Sequence, residues 1–197
     1  MIAHRGASGY AFENSPAAFR EAAARDVDGV ELDVHATADG GIVVHHDPEL
    51  TGGRPLDTLT LAEATAWLLP NGEPVPTLAA ALTLIGDRDV WIEVKSLPVT
   101  YDAALLSALD RGPFPARYAV HSFDHRVTAR LSRLRPQLRL GALLSSRVID
   151  PVAVVRILDF AALMTGAKER PNPVSPAGTG TATFRIDEAE TAFIYTI

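Results

Sequence analysis

The sequence contains no cysteine, which excludes disulfide bridges and thiolate metal sites. It also lacks an apolar run of about eighteen residues, the minimum for a membrane-spanning helix. The charged start and apolar segment of a secretory leader are missing as well, because strand-like sequence begins at Ile2. We therefore predict a cytoplasmic protein without a membrane span.

A surplus of positive charge is absent too, since the net charge is −6. Proteins that bind nucleic acids neutralise phosphates with a basic surface, so this composition argues against nucleic acid as a partner. A small phosphorylated ligand held by a metal ion remains compatible with it. With 197 residues, of which 47% are hydrophobic, the chain is long enough for one globular domain with a sizeable core.

Nucleotide-binding fingerprints are also missing, since neither GxGxxG nor GxxxxGK[ST] occurs. Instead, strand-like and helix-like segments alternate along the chain, which predicts βα units around a parallel sheet. The strand-like segments begin at Ile2, Gly29, Asp89, Tyr118, Arg139 and Phe160. A further segment from Ile42 is predicted to pair with the second strand as a hairpin. The polar side chains of these strands lie within them or at their carboxyl ends, where a (β/α)8 barrel places its chemistry.

The composition changes after residue 164. The segment "TGAKERPNPVSPAGTGTAT" is rich in Pro, Gly and Thr and predicts a loop or a disordered segment, while the final "AFIYTI" predicts a strand. We expect a barrel domain over 1–164, with a small insertion at about 47–76, and an atypical tail over 165–197. This length leaves room for six βα units and at most a seventh strand, so we predict an α/β TIM barrel that is shortened or incomplete at its C-terminus.

An incomplete barrel would leave an open sheet edge with unpaired backbone groups. Low stability, a homodimer formed through the gap, or coverage of the edge by the tail would each follow from it. A truncated gene and a genuine short variant explain such a sequence equally well.

Charged residues occupy two of the most apolar strands. In "GVELDV" the alternation of a strand places Glu31 and Asp33 on one face, and in "WIEVK" it places Glu93 and Lys95 on one face. Carboxylates that converge in a barrel would repel one another unless a cation lies among them, and hard oxygen ligands suit Ca²⁺ or Mg²⁺. The alternative is a set of salt bridges, for example Glu93 with Lys95 or Arg5.

Several histidines could transfer protons near neutral pH. His4 ends the first strand and His46 ends the hairpin segment, whereas strand alternation should turn His45 to the opposite side. Taken singly, a histidine of this kind is more often a hydrogen-bonded structural residue. His121 and His125 are weaker candidates.

In their order along the chain, these residues resemble one known family. The stretches "HRGASGYAFENSPAAF", "GVELDVHATADGGIVVHHD", "LTLAE", "PTLAAAL" and "IEVK" are similar to the glycerophosphodiester phosphodiesterases over residues 2 to about 143. Any one dipeptide is weak, but the ordered set is specific. The resemblance implies a (β/α)8 barrel that cleaves small glycerophosphodiesters and releases glycerol 3-phosphate.

The resemblance also implies roles for individual positions. It implies that Glu31, Asp33 and Glu93 bind the divalent cation and that His4 and His46 are the acid–base pair. One histidine would deprotonate water or the neighbouring glycerol hydroxyl and the other would protonate the leaving alcohol; which does which stays open. The positions that match those near the phosphate are Arg5, Lys95, Glu13 and Asn14.

Two departures from the family pattern affect substrate contacts. The insertion "PELTGGRPLDT" lacks the Arg-Thr-Thr run that often follows His-Asp, and no tryptophan follows Trp91, so Tyr195 in "IYTI" is the candidate for an aromatic substrate contact. Two other functions stay open: cleavage of lysophospholipids or phosphosphingolipids, and an inactive truncated barrel that serves only as a binding module.

Overall fold

The computed structural model describes residues 1–25 and 27–145, together with the backbone of residues 170–171, 184–185 and 192–196. The chain divides into two compact units, Met1–Tyr118 and Ala119–Ile197. The segment "DPVAVVRIL", whose pattern predicts a helix, lies outside the described residues, as do the strand predicted at Phe160 and the predicted domain boundary at residue 164.

The described strands and helices have the following bounds. The strands are β1 (Ile2–Ala3), β2 (Gly29–Ala36), β3 (Ile42–Val44), β4 (Glu49–Leu50), β5 (Arg54–Pro55), β6 (Asp89–Ser96), β7 (Tyr118–Ser122), β8 (Arg139–Leu144), β9 (Arg170–Pro171), β10 (Phe184–Arg185) and β11 (Ala192–Thr196). The helices are α1 (Pro16–Ala24), α2 (Leu61–Ala66), α3 (Leu78–Ile85), α4 (Asp102–Asp110) and α5 (His125–Leu134).

In the first unit, β2 is the central strand of the sheet. It runs parallel to β1 on one side and to β6 on the other, with Asp33 opposite Glu93. β3 pairs with β2 in the antiparallel direction, with Val34 opposite Val44, so the predicted hairpin is confirmed. All eight residues of β2 are buried, although two of them are acidic and one is a histidine.

Helices α1 and α3 both begin at a hydroxyl cap. The Ser15 hydroxyl accepts a hydrogen bond from the Ala18 amide, with Pro16 at the first helical position, and Thr77 caps α3 in the same way. Both helices bury apolar side chains, and the two helices pack against each other. This packing fixes the start of α1, and with it the loop that precedes Pro16.

Residues 47–76, the predicted insertion, consist of the β4–β5 hairpin, a short turn and α2. A capping box between Thr60 and Glu63 begins α2. Apolar side chains of this segment pack with one residue of β3. The cluster is formed by Val43 of β3 together with Leu50, Leu56, Leu59, Ala64, Leu69 and Val75. The segment is therefore a folded substructure attached to β3.

In the second unit, β8 pairs in parallel with β7 and with β11. The strand predicted over "AFIYTI" is confirmed as β11, with Tyr195 opposite Leu143. The two-residue strands β9 and β10 form an antiparallel pair where we expected a loop. A pair this short has no detectable period in the sequence. No helix in the described part of the chain combines the length and apolarity needed to cross a bilayer.

Candidate active site

Three carboxylates converge on one face of the first unit's sheet. The parallel register places Asp33 beside Glu93, and strand alternation places Glu31 on the same face as Asp33. One carboxylate oxygen of each residue lies within 4.8 Å of the others. Relative exposure is only 8% for Glu31, 1% for Asp33 and 5% for Glu93. Because buried like charges repel, this cluster needs cations around it.

Lys95 and Arg5 supply positive charge to the cluster. The Lys95 ammonium lies 2.6 Å from Glu93 Oε1 and 3.1 Å from Asp33 Oδ1. Arg5 Nε lies 3.3 Å from Asp33 Oδ2, and its Nη1 donates to both oxygens of Glu13 at 3.0 and 2.9 Å. The Glu93–Lys95 salt bridge considered as the alternative to a metal site therefore exists, whereas Arg5 pairs with Asp33 and Glu13. The three carboxylates are nevertheless close enough to share one ion.

Two site residues in the loop before α1 adopt the left-handed backbone conformation. Arg5 has φ 54° and Asn14 has φ 52°. The backbone N–H of Asn14 donates to the carbonyl oxygen of Arg5 at 2.9 Å. Asparagine tolerates this conformation better than arginine does, so the loop holds Arg5 at a conformational cost of about 1–3 kcal/mol. Gly6 follows with φ 78° and lies so close to Ala18 that a Cβ atom there would overlap it.

Side-chain and backbone groups of this loop form hydrogen bonds with the carboxylates directly. Asn14 Nδ2 donates to Asp33 Oδ2 at 2.8 Å, and Asn14 Oδ1 accepts from the Asp33 amide at 3.3 Å. The Arg5 backbone amide donates to Glu31 Oε2 at 3.1 Å. The strained conformation thus orients two donors toward β2, as expected for strain at a functional site.

The two candidate histidines have different surroundings. His4 follows β1, its side chain is 65% exposed, and its Nε2 lies 3.8 Å from Glu31 Oε2. His46 follows β3, its side chain is 34% exposed, and its Nδ1 lies 2.8 Å from Asp47 Oδ1. Because a carboxylate only accepts, His46 donates from Nδ1, which leaves Nε2 available for proton transfer.

Burial and charge shift several pKa values in the metal-free site. Burial, and then the Asp33 charge, raise the pKa of Glu31 to about 8. Burial also raises the pKa of Glu93, although Lys95 opposes that shift. The pKa of His4 is lowered, first by burial and then by the Arg5 charge. The carboxylates therefore hold a proton that a cation would displace.

A cavity of about 460 Å³ opens beside His46 and Asn14. Its walls come from the loop before α1, from the residues after β3 and from the insertion, and they include Phe12, Glu13, His45, Asp47 and Glu49. We had expected His45 and His46 to point to opposite sides. Both line this cavity, because β3 ends at Val44 and strand alternation does not extend to them.

Sequence reasoning missed His35. It is 5% exposed on β2, two residues after Asp33, and its Nε2 lies 3.1 Å from the His46 carbonyl oxygen. The strand alternation that identified Glu31 and Asp33 could have identified it as well. For Tyr195, the structure describes only the backbone in β11.

Comparison with known proteins identifies the family. A model of the Glycerophosphoryl diester phosphodiesterase family matches residues 4–169. The chain belongs to this family. A relative from Caldanaerobacter subterraneus subsp. tengcongensis, named glycerophosphodiester phosphodiesterase, is 35% identical over an alignment of 167 residues, and the match covers 77% of this chain and 69% of the relative. The family that the motifs indicate is thus confirmed.

Solved structures of glycerophosphodiester phosphodiesterases share the fold. One from Parabacteroides distasonis has a TM-score of 0.70 at 26% identity, covering 81% of this chain and 69% of that one. A phosphodiesterase from Oleispira antarctica, solved with the product sn-glycerol-3-phosphate, has a TM-score of 0.71 at 26% identity, covering 80% of this chain and 71% of that one. The predicted α/β fold of the TIM-barrel type is confirmed.

The carboxylate cluster fits the metal dependence of this family. Three hard oxygen donors within 4.8 Å of one another match the ligand preference of a divalent cation. Burial and the neighbouring Asp33 charge raise the pKa of Glu31, so a further cation beside these carboxylates would be stabilised. The glycerophosphodiester phosphodiesterase fold thus places a group that could bind a metal on β2 and β6.

Proposed function

We propose that this chain hydrolyses glycerophosphodiesters to an alcohol and glycerol 3-phosphate. The observation that carries the proposal is the convergence of Glu31, Asp33 and Glu93, next to two histidines and two basic side chains. The names of the relatives and the product complex of the Oleispira antarctica enzyme support this substrate class over lysophospholipids or phosphosphingolipids.

The proposed cofactor is one divalent cation, Ca²⁺ or Mg²⁺, held by Glu31, Asp33 and Glu93. When bound, it would neutralise charge on the phosphodiester oxygens as the transition state forms. The basic side chains of Arg5 and Lys95 lie against the same carboxylates, so they are placed to attract a phosphodiester. Glu13 supports this by holding the Arg5 guanidinium.

We further propose that His4 and His46 transfer the protons. The lowered pKa of His4 keeps its imidazole neutral near pH 7, so it is able to accept a proton. His46 donates from Nδ1 to Asp47, which leaves Nε2 free of that bond, and it lines the cavity; both observations support a role in proton transfer to the leaving alcohol or from the nucleophile. Asn14 would orient Asp33 through their hydrogen bond. Tyr195 is the proposed aromatic contact to the substrate.

The test is product release by the purified chain. We expect glycerol 3-phosphate to appear from glycerophosphodiesters with Ca²⁺ or Mg²⁺ present, and the rate to fall to background after chelation. A panel that includes lysophospholipids distinguishes the alternative substrates. Absence of product from folded, metal-loaded protein would refute the proposal, and a rate unaffected by chelation would refute the metal assignment.

A small-molecule glycerophosphodiester is the proposed partner. The cytoplasmic location and the homodimer stay predictions. Gel filtration with light scattering would test whether the chain forms a homodimer. An inert binding module would neither release product nor gain stability from the cation.

A further inference from the structure

His46 is placed by residues that follow a strand, not by the strand itself. β3 ends at Val44, and the last backbone bond of its ladder joins the His45 amide to the Asp33 carbonyl at 3.0 Å. Beyond that bond the chain turns, and the Nε2 atom of His35 meets the His46 carbonyl oxygen at 3.1 Å. The peptide group of His46 is therefore bound by a side chain of β2.

The chemistry of this contact defines the state of the His35 ring. A carbonyl oxygen only accepts hydrogen bonds, so His35 Nε2 must carry the proton. At 5% exposure in a strand buried along its whole length, the ring has little freedom to rotate away. The donor therefore holds a fixed direction.

The other contact of His46 is more open to water. Its Nδ1 atom donates to Asp47, whose side chain is 69% exposed. Exposed charged contacts hold geometry weakly because water and salt compete with them. The buried hydrogen bond from His35 is therefore the firmer restraint on the backbone from which the His46 ring projects.

We propose that His35 is a positioning residue that fixes the orientation of the His46 imidazole by binding its carbonyl. The part of this inference that concerns turnover rests on the proposed function, but the structural part does not. His35 is attached to the strand that carries Glu31 and Asp33, so the acid–base group and the carboxylates keep one relative geometry.

Two variants test the proposal. His35→Leu removes the donor and keeps an apolar side chain, whereas His35→Gln keeps a donor at a similar distance from the backbone. Wild type and both variants are measured by NMR in the absence of substrate. The ring ¹⁵N resonances of His35 are recorded in wild type, and the ring ¹⁵N and carbonyl ¹³C resonances of His46 are recorded in all three proteins. Thermal unfolding and Ca²⁺ or Mg²⁺ titration show whether each variant is folded and retains its site.

In wild type we expect the Nε2–H tautomer of His35. The His46 carbonyl and ring resonances should move in His35→Leu and return toward their wild-type positions in His35→Gln. A proton on Nδ1 of His35, or His46 resonances that do not change in His35→Leu, would overturn the proposal. This result is obtained whether or not the chain is active on glycerophosphodiesters.

The kinetic arm separates positioning from structure. Misplacing an acid–base group lowers kcat without weakening substrate binding, so His35→Leu should lose about 10- to 100-fold in kcat with KM and cation affinity unchanged. His35→Gln should regain most of that loss. A loss shared equally by both variants and accompanied by weaker cation binding would show a general structural role and contradict the proposal. If wild type releases no product, the proposed function fails and the NMR result alone decides on His35.

Discussion

The carboxylates and the histidines of the site are held in different ways. Glu31, Asp33 and Glu93 are buried side chains of two paired strands, and the register of β2 and β6 places them together. His4 and His46 follow their strands and are partly exposed. His4 lies near Glu31, whereas His46 is held by Asp47 at its ring and by His35 at its carbonyl oxygen. Sheet geometry thus fixes the positions of the three carboxylates, whereas loops and local hydrogen bonds fix those of the two histidines.

This difference indicates how each side should respond to substitution. A change in the strand-borne cluster alters the buried charge and leaves other charges unpaired. A change at His46, which binds none of the three carboxylates, alters a proton-transfer group and leaves the cluster in place. The predictions below test that contrast, beginning with the largest effect.

The largest effect is expected for Asp33→Asn. Asp33 contacts Lys95, Arg5 and Asn14, and it is the least exposed of the three acids. Because the charge stabilisation that a bound metal supplies is worth several kcal/mol, product release should fall about 1000-fold or more. Cation affinity by calorimetry should fall with it.

The control for Asp33→Asn is Glu21→Gln. Glu21 lies on α1 in an exposed pair with Arg25 at 2.7 Å, so loss of its charge should leave activity and cation affinity unchanged. Normal product release by Asp33→Asn would show that the strand-borne cluster is dispensable.

A smaller loss of activity is expected for His46→Gln. Acid–base groups typically contribute about 100- to 10,000-fold to the rate, so kcat should fall within that range. The cation titration should match wild type, because no carboxylate has changed. If cation binding were lost together with activity, the conclusion that the carboxylates are held independently of His46 would be wrong.

Stability without metal should depend on pH through Glu31. The pKa of Glu31 is about 8 in the folded protein and 4.5 in the reference state, so between these values the folded chain holds a proton that the unfolded chain releases. The free energy of unfolding should therefore fall as pH rises through this window. Urea unfolding in chelator should show a steeper fall in wild type than in Glu31→Gln, and equal slopes would contradict the assignment.

The smallest effect should come from a contact that joins the insertion to α1. Glu73 accepts from the Ala17 amide at 2.8 Å and pairs with Arg20. Glu73→Ala should cost about 1–2 kcal/mol in the free energy of unfolding, whereas Glu21→Gln should cost under about 0.5 kcal/mol. Thermal or urea unfolding measures both, and equal costs would show that Glu73 is an ordinary surface residue.

The sequence predicted best what strand alternation controls. Glu31 and Asp33 could be placed on one face of β2, and Glu93 and Lys95 on one face of β6, because the side chains of a strand alternate. The same regularity allowed the β2–β3 hairpin and β11 to be predicted.

What escaped prediction depends on irregular backbone. No pattern indicates that Arg5 adopts φ 54°, that β3 ends before His45, or that His35 reaches the His46 carbonyl. These features arise where the chain leaves a strand and tertiary contacts, not a period, set its path. The orientation of His46 therefore cannot be predicted from the sequence, although its position after a strand can.

The central claim is that the buried acids of β2 and β6 bind one divalent cation. A crystal structure of the protein grown with Ca²⁺ tests it most directly. The account predicts one ion with an oxygen of Glu31, Asp33 and Glu93 each at about 2.3–2.6 Å. Crystals grown with the cation in which Lys95 alone neutralises these carboxylates, and the ion binds elsewhere or not at all, would contradict it.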